Sequence, residues 1–370
     1  MRAACAALML IAALAPPSAG ALARGAEAGA AATPQALERL DAHVKGVAAA
    51  GQFSGVMLVA RDGAVLFERA YGLRDEKHAD PVTPETRFDL ASAGKMFTAT
   101  AVLQQIAAGR LSLTTTLGEV LRDYPNAAMR TATIAQLLTH SAGAGDSDAM
   151  FYPGDLVWRG RAPGVADLVA LHGERDPAFP PGTKQEYSNH AMTLLGRVVE
   201  VLSGQDYRSY VADHVFRPAG MDADHANDAC RADDPGLAVG YVDVAGERMP
   251  NCFTVLDGGW PAGGQAFTAR DMLRFVTALR QGRLGVPRAL FEQATTPRLK
   301  GFGLGFIATD YGGDFLPRDL RWGHGGKIHG QCVDIRTYEA TGMTIVTLGN
   351  NDSPACFRIA GFLHEDWRRR

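Results

Sequence analysis

The chain has 370 residues, a formal charge of −3, 46% hydrophobic residues and 21% charged residues. This is ordinary globular composition, long enough for one large core or two closely packed domains. The near-neutral balance excludes a nucleic-acid binder built on a basic face. In chain order, Arg2, the apolar run "AACAALMLIAALA" and "ALA" at 21–23 read as a signal peptide over 1–23, cleaved after Ala23. The apolar run is too short to cross a bilayer. Export to a bacterial periplasm or beyond is expected, without stable membrane insertion.

Residues 24–32 are Ala/Gly-rich and read as a flexible linker, followed by a single domain over 33–370. Thr33-Pro34 is a good helix start, Leu37, Leu40, Val44 and Val47 recur at helical spacing, and Gly51 can end the helix. In "GVMLVARDGAVLFERAYG" two β-rich runs flank Asp62-Gly63, a hairpin signal. Helical patterns follow at Ser92–Ala108, "TIAQLLTHSAG", about His190–Leu202 and Thr268–Arg280. Strands return in "GFGLGFIAT", "GQCVDIRTYEA" and "MTIVTLGN", and "CFRIAGFLHEDW" reads as a last helix. Strands at both ends with helices between predict an α+β fold. Its antiparallel sheet is built from both chain ends and flanked by helices, with a mainly helical lobe inserted over about 110–265.

Beyond Cys5, the cysteines are Cys230, Cys252, Cys332 and Cys356. An oxidising compartment permits disulfides, and the sequence allows three pairings. The local ones, Cys230–Cys252 and Cys332–Cys356, are favoured, with buried free thiols as the alternative. No cysteine pair has zinc-ligand spacing, and the acidic "DADHANDACRADD" lacks the Gly and Glu positions of a calcium loop. No metal or organic cofactor is implied.

"FDLASAGKMFTATAVLQQIAAG" sets Ser92 and Lys95 one turn apart at the root of an apolar helix. Unpaired N–H groups and the helix dipole there favour an oxyanion. A neighbouring lysine can take the serine proton only when neutral. Moving a lysine from its ordinary pKa of about 10.4 to about 7 costs roughly 4–5 kcal/mol, which a crowded site can bear. The plain alternative is a capping serine and a snorkelling lysine.

"PPGTKQEYSNHAMTLLGRVVEVL" places Tyr187 and Asn189 after a Pro/Gly turn and before an apolar helix. Tyr187 can carry protons between Ser92 and a leaving group, and the Asn189 amide can bond a substrate carbonyl. Ordinary packing is the competing reading of Tyr187. A rival match, Tyr124-Pro125-Asn126, is set aside as a structural turn. In "RWGHGGKIHGQCVDI", His324-Gly325-Gly326 opens a predicted strand. The glycines would let a substrate backbone lie along its edge. The N–H groups of Lys327 and Ser92 would form an oxyanion hole. His324 would bond a substrate carboxylate or assist proton transfer. As an imidazolium it would lose that carboxylate as pH rises through about 6 to 8. The bland readings are a structural histidine and a glycine turn.

Taken together, Ser92-x-x-Lys95, Tyr187-x-Asn189 and His324-x-Gly326 resemble the serine β-lactamase and penicillin-binding-protein superfamily. The chain is most similar to its class C β-lactamases, D-alanyl-D-alanine carboxypeptidases, D-aminopeptidases and esterases. "TIAQLLTHSAG", "PAGGQAFTARDMLRF" and "GHGGKIHG" look like recurrent blocks of that family, so the likeness spans nearly the whole mature chain. The resemblance implies a serine hydrolase that forms an acyl-enzyme on Ser92, with Lys95 and Tyr187 as proton carriers. Asn189, His324, Gly326 and Lys327 would line the substrate site. The implied substrate is a D-amino-acid peptide, an ester or a β-lactam. The alternative is a penicillin-binding or sensor protein that acylates with little turnover. Histidine at 324 departs from the lysine of many β-lactamases, which puts carboxylate recognition there in doubt.

Overall fold

The computed structural model describes residues 33–145, 164–221, 234, 236–251, 260–310 and 320–368. The segments expected as signal peptide and linker lie outside the described residues, as do Cys230 and Cys252.

Helix α1 (Pro34–Ala49) starts as its sequence dictates. The Thr33 hydroxyl accepts the Ala36 N–H, and Pro34 takes the first helical position, where no N–H is needed. Strands β1 (Gly55–Arg61) and β2 (Ala64–Tyr71) form the expected hairpin. Asp62 and Gly63 both sit at positive φ, 48° and 86°, as a two-residue hairpin turn of primed type requires.

Four more strands complete the sheet: β3 (Ile307–Asp310), β4 (Leu320–Ile328), β5 (Gln331–Tyr338) and β6 (Met343–Gly349). The order is β2-β1-β6-β5-β4-β3, antiparallel throughout. The join between the two ends of the chain is central. β1 pairs with β6 from Gly55↔Gly349 to Arg61↔Met343. One expectation needs correcting. His324 does not open a strand but lies in the middle of β4, and a turn at His329-Gly330 separates β4 from β5.

Alternation along β1 divides the core into two layers. Met57 and Val59 face α1 and the last helix, α5 (Ala355–Arg368), with Leu40, Val44, Ile345 and Ile359. Val56 and Leu58 face the central helices with Val333, Ile335, Val346 and Leu348. In that second layer runs α2 (Lys95–Ala107), with ten of its 13 residues buried, so it is a core helix rather than an amphipathic surface one. Phe97 anchors it edge-on against Phe216, Phe267 and Phe275, at centroid distances of 4.9, 5.6 and 4.8 Å. Helices α3 (Asn189–Ser203) and α4 (Ala269–Arg280) pack in the same layer.

The local pairing Cys332–Cys356 is present and ties β5 to the first turn of α5. No described helix is long and apolar enough to cross a membrane.

Candidate active site

Ser92 lies in a 3-10 turn, Ala91–Gly94, that runs directly into α2. Ala91 holds φ at 45°, a conformation an L residue rarely adopts. The buried Asp89 carboxylate fixes it by accepting the Ala91 N–H at 2.6 Å. Two glycines let other segments close on this turn. A Cβ on Gly263 would lie 2.1 Å from the Ala91 carbonyl oxygen, and one on Gly326 would lie 2.3 Å from that of Leu90. The turn is therefore clamped between the 260–264 segment and β4, leaving Ser92 half-buried at the head of the helix.

The Lys95 side chain is fully buried, and its ammonium meets three oxygens. Nζ donates to Ser92 Oγ at 3.0 Å, to Asn189 Oδ1 at 2.7 Å and to the Ala262 carbonyl at 2.6 Å. An ammonium has three donors, so this set fills them. Asn189 opens α3, whose N-cap Ser188 accepts the Ala191 N–H at 2.9 Å. Tyr187 comes just before the cap, and its ring faces Lys95 Nζ at 4.8 Å from the centroid. The structure thus brings Ser92, Lys95, Tyr187 and Asn189 together. Asn189 also takes a part that the sequence did not suggest, as an acceptor that holds the lysine. The rival Tyr124-Pro125-Asn126 is structural. Tyr124 is in the core, and Asn126 accepts the Met129 N–H and donates to Asp176.

β3 pairs with β4 only as far as Gly323, so from His324 onward that edge of β4 has no strand partner among the described residues. This fits an edge open to substrate. The reason for the glycines differs from the expected one. Gly326 faces the Ser92 turn, and Gly325 faces the Phe357 ring, where a Cβ would sit 2.6 Å from Cε1. Internal packing requires both. The Lys327 side chain points away to an ion pair with Asp352 at 3.0 Å, so only its backbone is left to serve the site.

His324 is buried, and its Nδ1 donates to the Gly325 carbonyl at 2.5 Å. Burial, and then the nearby Lys95 charge, push its pKa down to about 3. Both effects oppose the imidazolium form that the carboxylate reading of His324 needs.

Three contributors escaped the sequence reading. Asp89 and Ala262 act through backbone geometry, which leaves no local signal. His140 carries a faint one, as the polar end of the apolar "TIAQLLTH". It is buried at φ 56°. Its carbonyl accepts the Glu186 N–H at 2.9 Å and its Nδ1 accepts the Ser188 N–H at 3.3 Å, which brackets Tyr187. The two rings pack 4.6 Å apart. Burial, Lys95 and His324 push the His140 pKa down to about 3.

The beta-lactamase family profile matches residues 40–361. The chain is 28% identical over 342 residues to penicillin-binding protein 4 of Amycolatopsis lactamdurans, covering 86% of both chains. It is 28% identical over 351 residues to an esterase of Burkholderia gladioli, covering 80% of this chain and 85% of the esterase. Its fold matches the penicillin-binding protein of Bacillus halodurans with a TM-score of 0.74 and 26% identity, over 87% of this chain and 98% of that one. A D-amino acid amidase from Ochrobactrum anthropi, 20% identical, shares the fold at a TM-score of 0.72, over 90% of this chain and 99% of that one. With the family profile spanning both halves of the sheet and the serine–lysine turn set between them, the chain belongs to the beta-lactamase family of serine hydrolases.

Proposed function

We propose that this chain is an exported serine hydrolase that works through an acyl-enzyme on Ser92. The observation that carries the reading is the Lys95 bond set. With the amine neutral, its two N–H bonds stay on Asn189 Oδ1 and the Ala262 carbonyl, and the lone pair faces Ser92 Oγ at 3.0 Å. Lys95 then takes the serine proton as Oγ bonds to the substrate carbonyl carbon. The N–H groups of Ser92 and Lys327 hold the resulting oxyanion. The proton passes by Lys95 and Tyr187 to the leaving group as its bond breaks. Water then attacks the ester, and Ser92 recovers its proton as the acid is released.

Substrates in view are esters, D-amino-acid peptides or amides, and β-lactams. A neutral His324 removes the cation expected for a carboxylate, which favours esters and amides over β-lactams and peptides with a free carboxylate. An activated ester, a fluorescent penicillin and a D-Ala-D-Ala peptide, each followed by mass spectrometry, test the reading. A single acyl adduct on Ser92 is expected from at least one. Ser92→Ala should take up none and remain folded, with a stability change of about 1 kcal/mol. Labelling of Ser92→Ala at the wild-type level would sink the assignment. Export predicts a mature protein beginning at Arg24, read by N-terminal sequencing.

A further inference from the structure

Two buried histidines of the site present opposite hydrogen-bonding faces. His140 follows the short helix Ile134–Leu138, and His324 lies in β4. Phe302 meets both rings edge-on, at 5.1 and 6.5 Å, and the Tyr187 ring packs against His140 and Phe302 at 4.6 and 6.2 Å. One bond fixes the tautomer of each histidine. A backbone N–H can only donate, so His140 Nδ1, which takes the Ser188 N–H, is bare and the proton is on Nε2. A carbonyl can only accept, so His324 Nδ1, which meets the Gly325 oxygen, carries the proton and Nε2 is bare. Both Nε2 atoms are buried, and neither has a hydrogen-bond partner among the described residues. Native interiors rarely leave such atoms unsatisfied.

Resting on the hydrolase reading above, we propose that His140 Nε2–H and His324 Nε2 form a neutral donor–acceptor pair that recognises a carboxamide or hydroxyl on the substrate and disfavours a carboxylate. A carboxamide oxygen accepts from His140 while its N–H donates to His324. A hydroxyl can do both. A carboxylate has no proton to offer, so its lone pairs face that of His324. An alkyl group leaves both nitrogens unsatisfied.

The test uses nitrophenyl esters of acids ending in a carboxamide, a carboxylate or an isopropyl group, at several matched chain lengths. Spontaneous hydrolysis is subtracted. At the best length and about pH 7, kcat/KM for the carboxamide should exceed that for the other two by roughly tenfold to a hundredfold. His324→Phe and His140→Phe each keep a ring and remove one polar partner, and each should erase most of that advantage. Nitrogen-15 spectra of the wild type should show His324 protonated only at Nδ1 and His140 only at Nε2, between about pH 5 and 8. This readout stands even where a variant fails to fold. A carboxylate ester turned over as well as its carboxamide partner, or the reverse tautomer at either ring, overturns the proposal. Adducts on Ser92 without any ranking of the esters overturn it and spare the hydrolase reading. Failure of every ester to label Ser92 brings down both.

Discussion

Lys95 is the least expected residue at its position and the most constrained. An ammonium at zero exposure is tolerated because three oxygens meet its three protons. Two of those oxygens, from Asn189 and Ala262, keep the amine aimed at Ser92 when its third proton leaves. Tyr187 lies against the same nitrogen, and its backbone is bracketed by His140. If the two residues are one proton relay, Lys95→Ala and Tyr187→Phe should each slow acylation by about 10²–10⁴. The double variant should be little slower than the worse single one, because groups that act as a unit fail together. Pre-steady-state acylation by a nitrophenyl ester measures this. Losses that multiply would separate the two residues.

Between the elements, the decisive contact is β4 against the Ser92 turn. Gly326→Ala would push a methyl toward the Leu90 carbonyl oxygen, with the short side chains of Val333 and Ala91 closing in beside it. We expect a cost of about 1–3 kcal/mol and a loss of acylation of about 10²–10³, as the Lys327 N–H moves off the oxyanion. A fully active Gly326→Ala would mean that the strand does not supply the oxyanion hole. The disulfide lies beside that contact, because Cys332 pairs with Lys327 across β5 and β4. Cys332 and Cys356 are separated by 24 residues, and opening the bond with Cys356→Ala should remove about 3 kcal/mol while Ser92 still acylates. Thermal melting with adduct counting checks both halves. Much of this architecture was legible in the sequence. The Thr33-Pro34 start and the Asp62-Gly63 hairpin are signals carried by a few adjacent residues, and both are found in place, while the helix expected over Thr268–Arg280 begins one residue later, with Thr268 as its cap. The four site residues drawn from two distant segments were readable because their spacing repeats a family pattern. The bounds of β4 were misread because of its glycines, which lower strand propensity and are required by contacts made elsewhere in the chain. His140 and Asp89 were hidden for the same reason, since their partners come from tertiary packing.

Burial of neutral histidines ties the stability of the fold to pH. His140, His190 and His324 all have pKa values pushed down to about 3, with burial as the largest cause, against about 6.5 in an unfolded chain. Between those limits the unfolded state binds protons that the native state does not, so stability rises with pH. It is fully present above about pH 6.5 and is lost as pH falls toward 3, at roughly 1.4 kcal/mol per unit for each histidine. Urea melts should therefore weaken steeply from about pH 6 to 4, and His190→Leu should make the decline shallower by about one proton. A stability flat across that range would show that these rings are charged or exposed. The pairing of β1 with β6 bears on time rather than on stability. Its partners, such as Gly55 and Gly349, are roughly three hundred positions apart, and such non-local pairings close slowly. β1 cannot take its place beside β6 until β6 has been synthesised. A ribosome-bound chain therefore carries the first hairpin with one long edge unsatisfied throughout nearly all of its synthesis, open to chaperones and to other nascent chains.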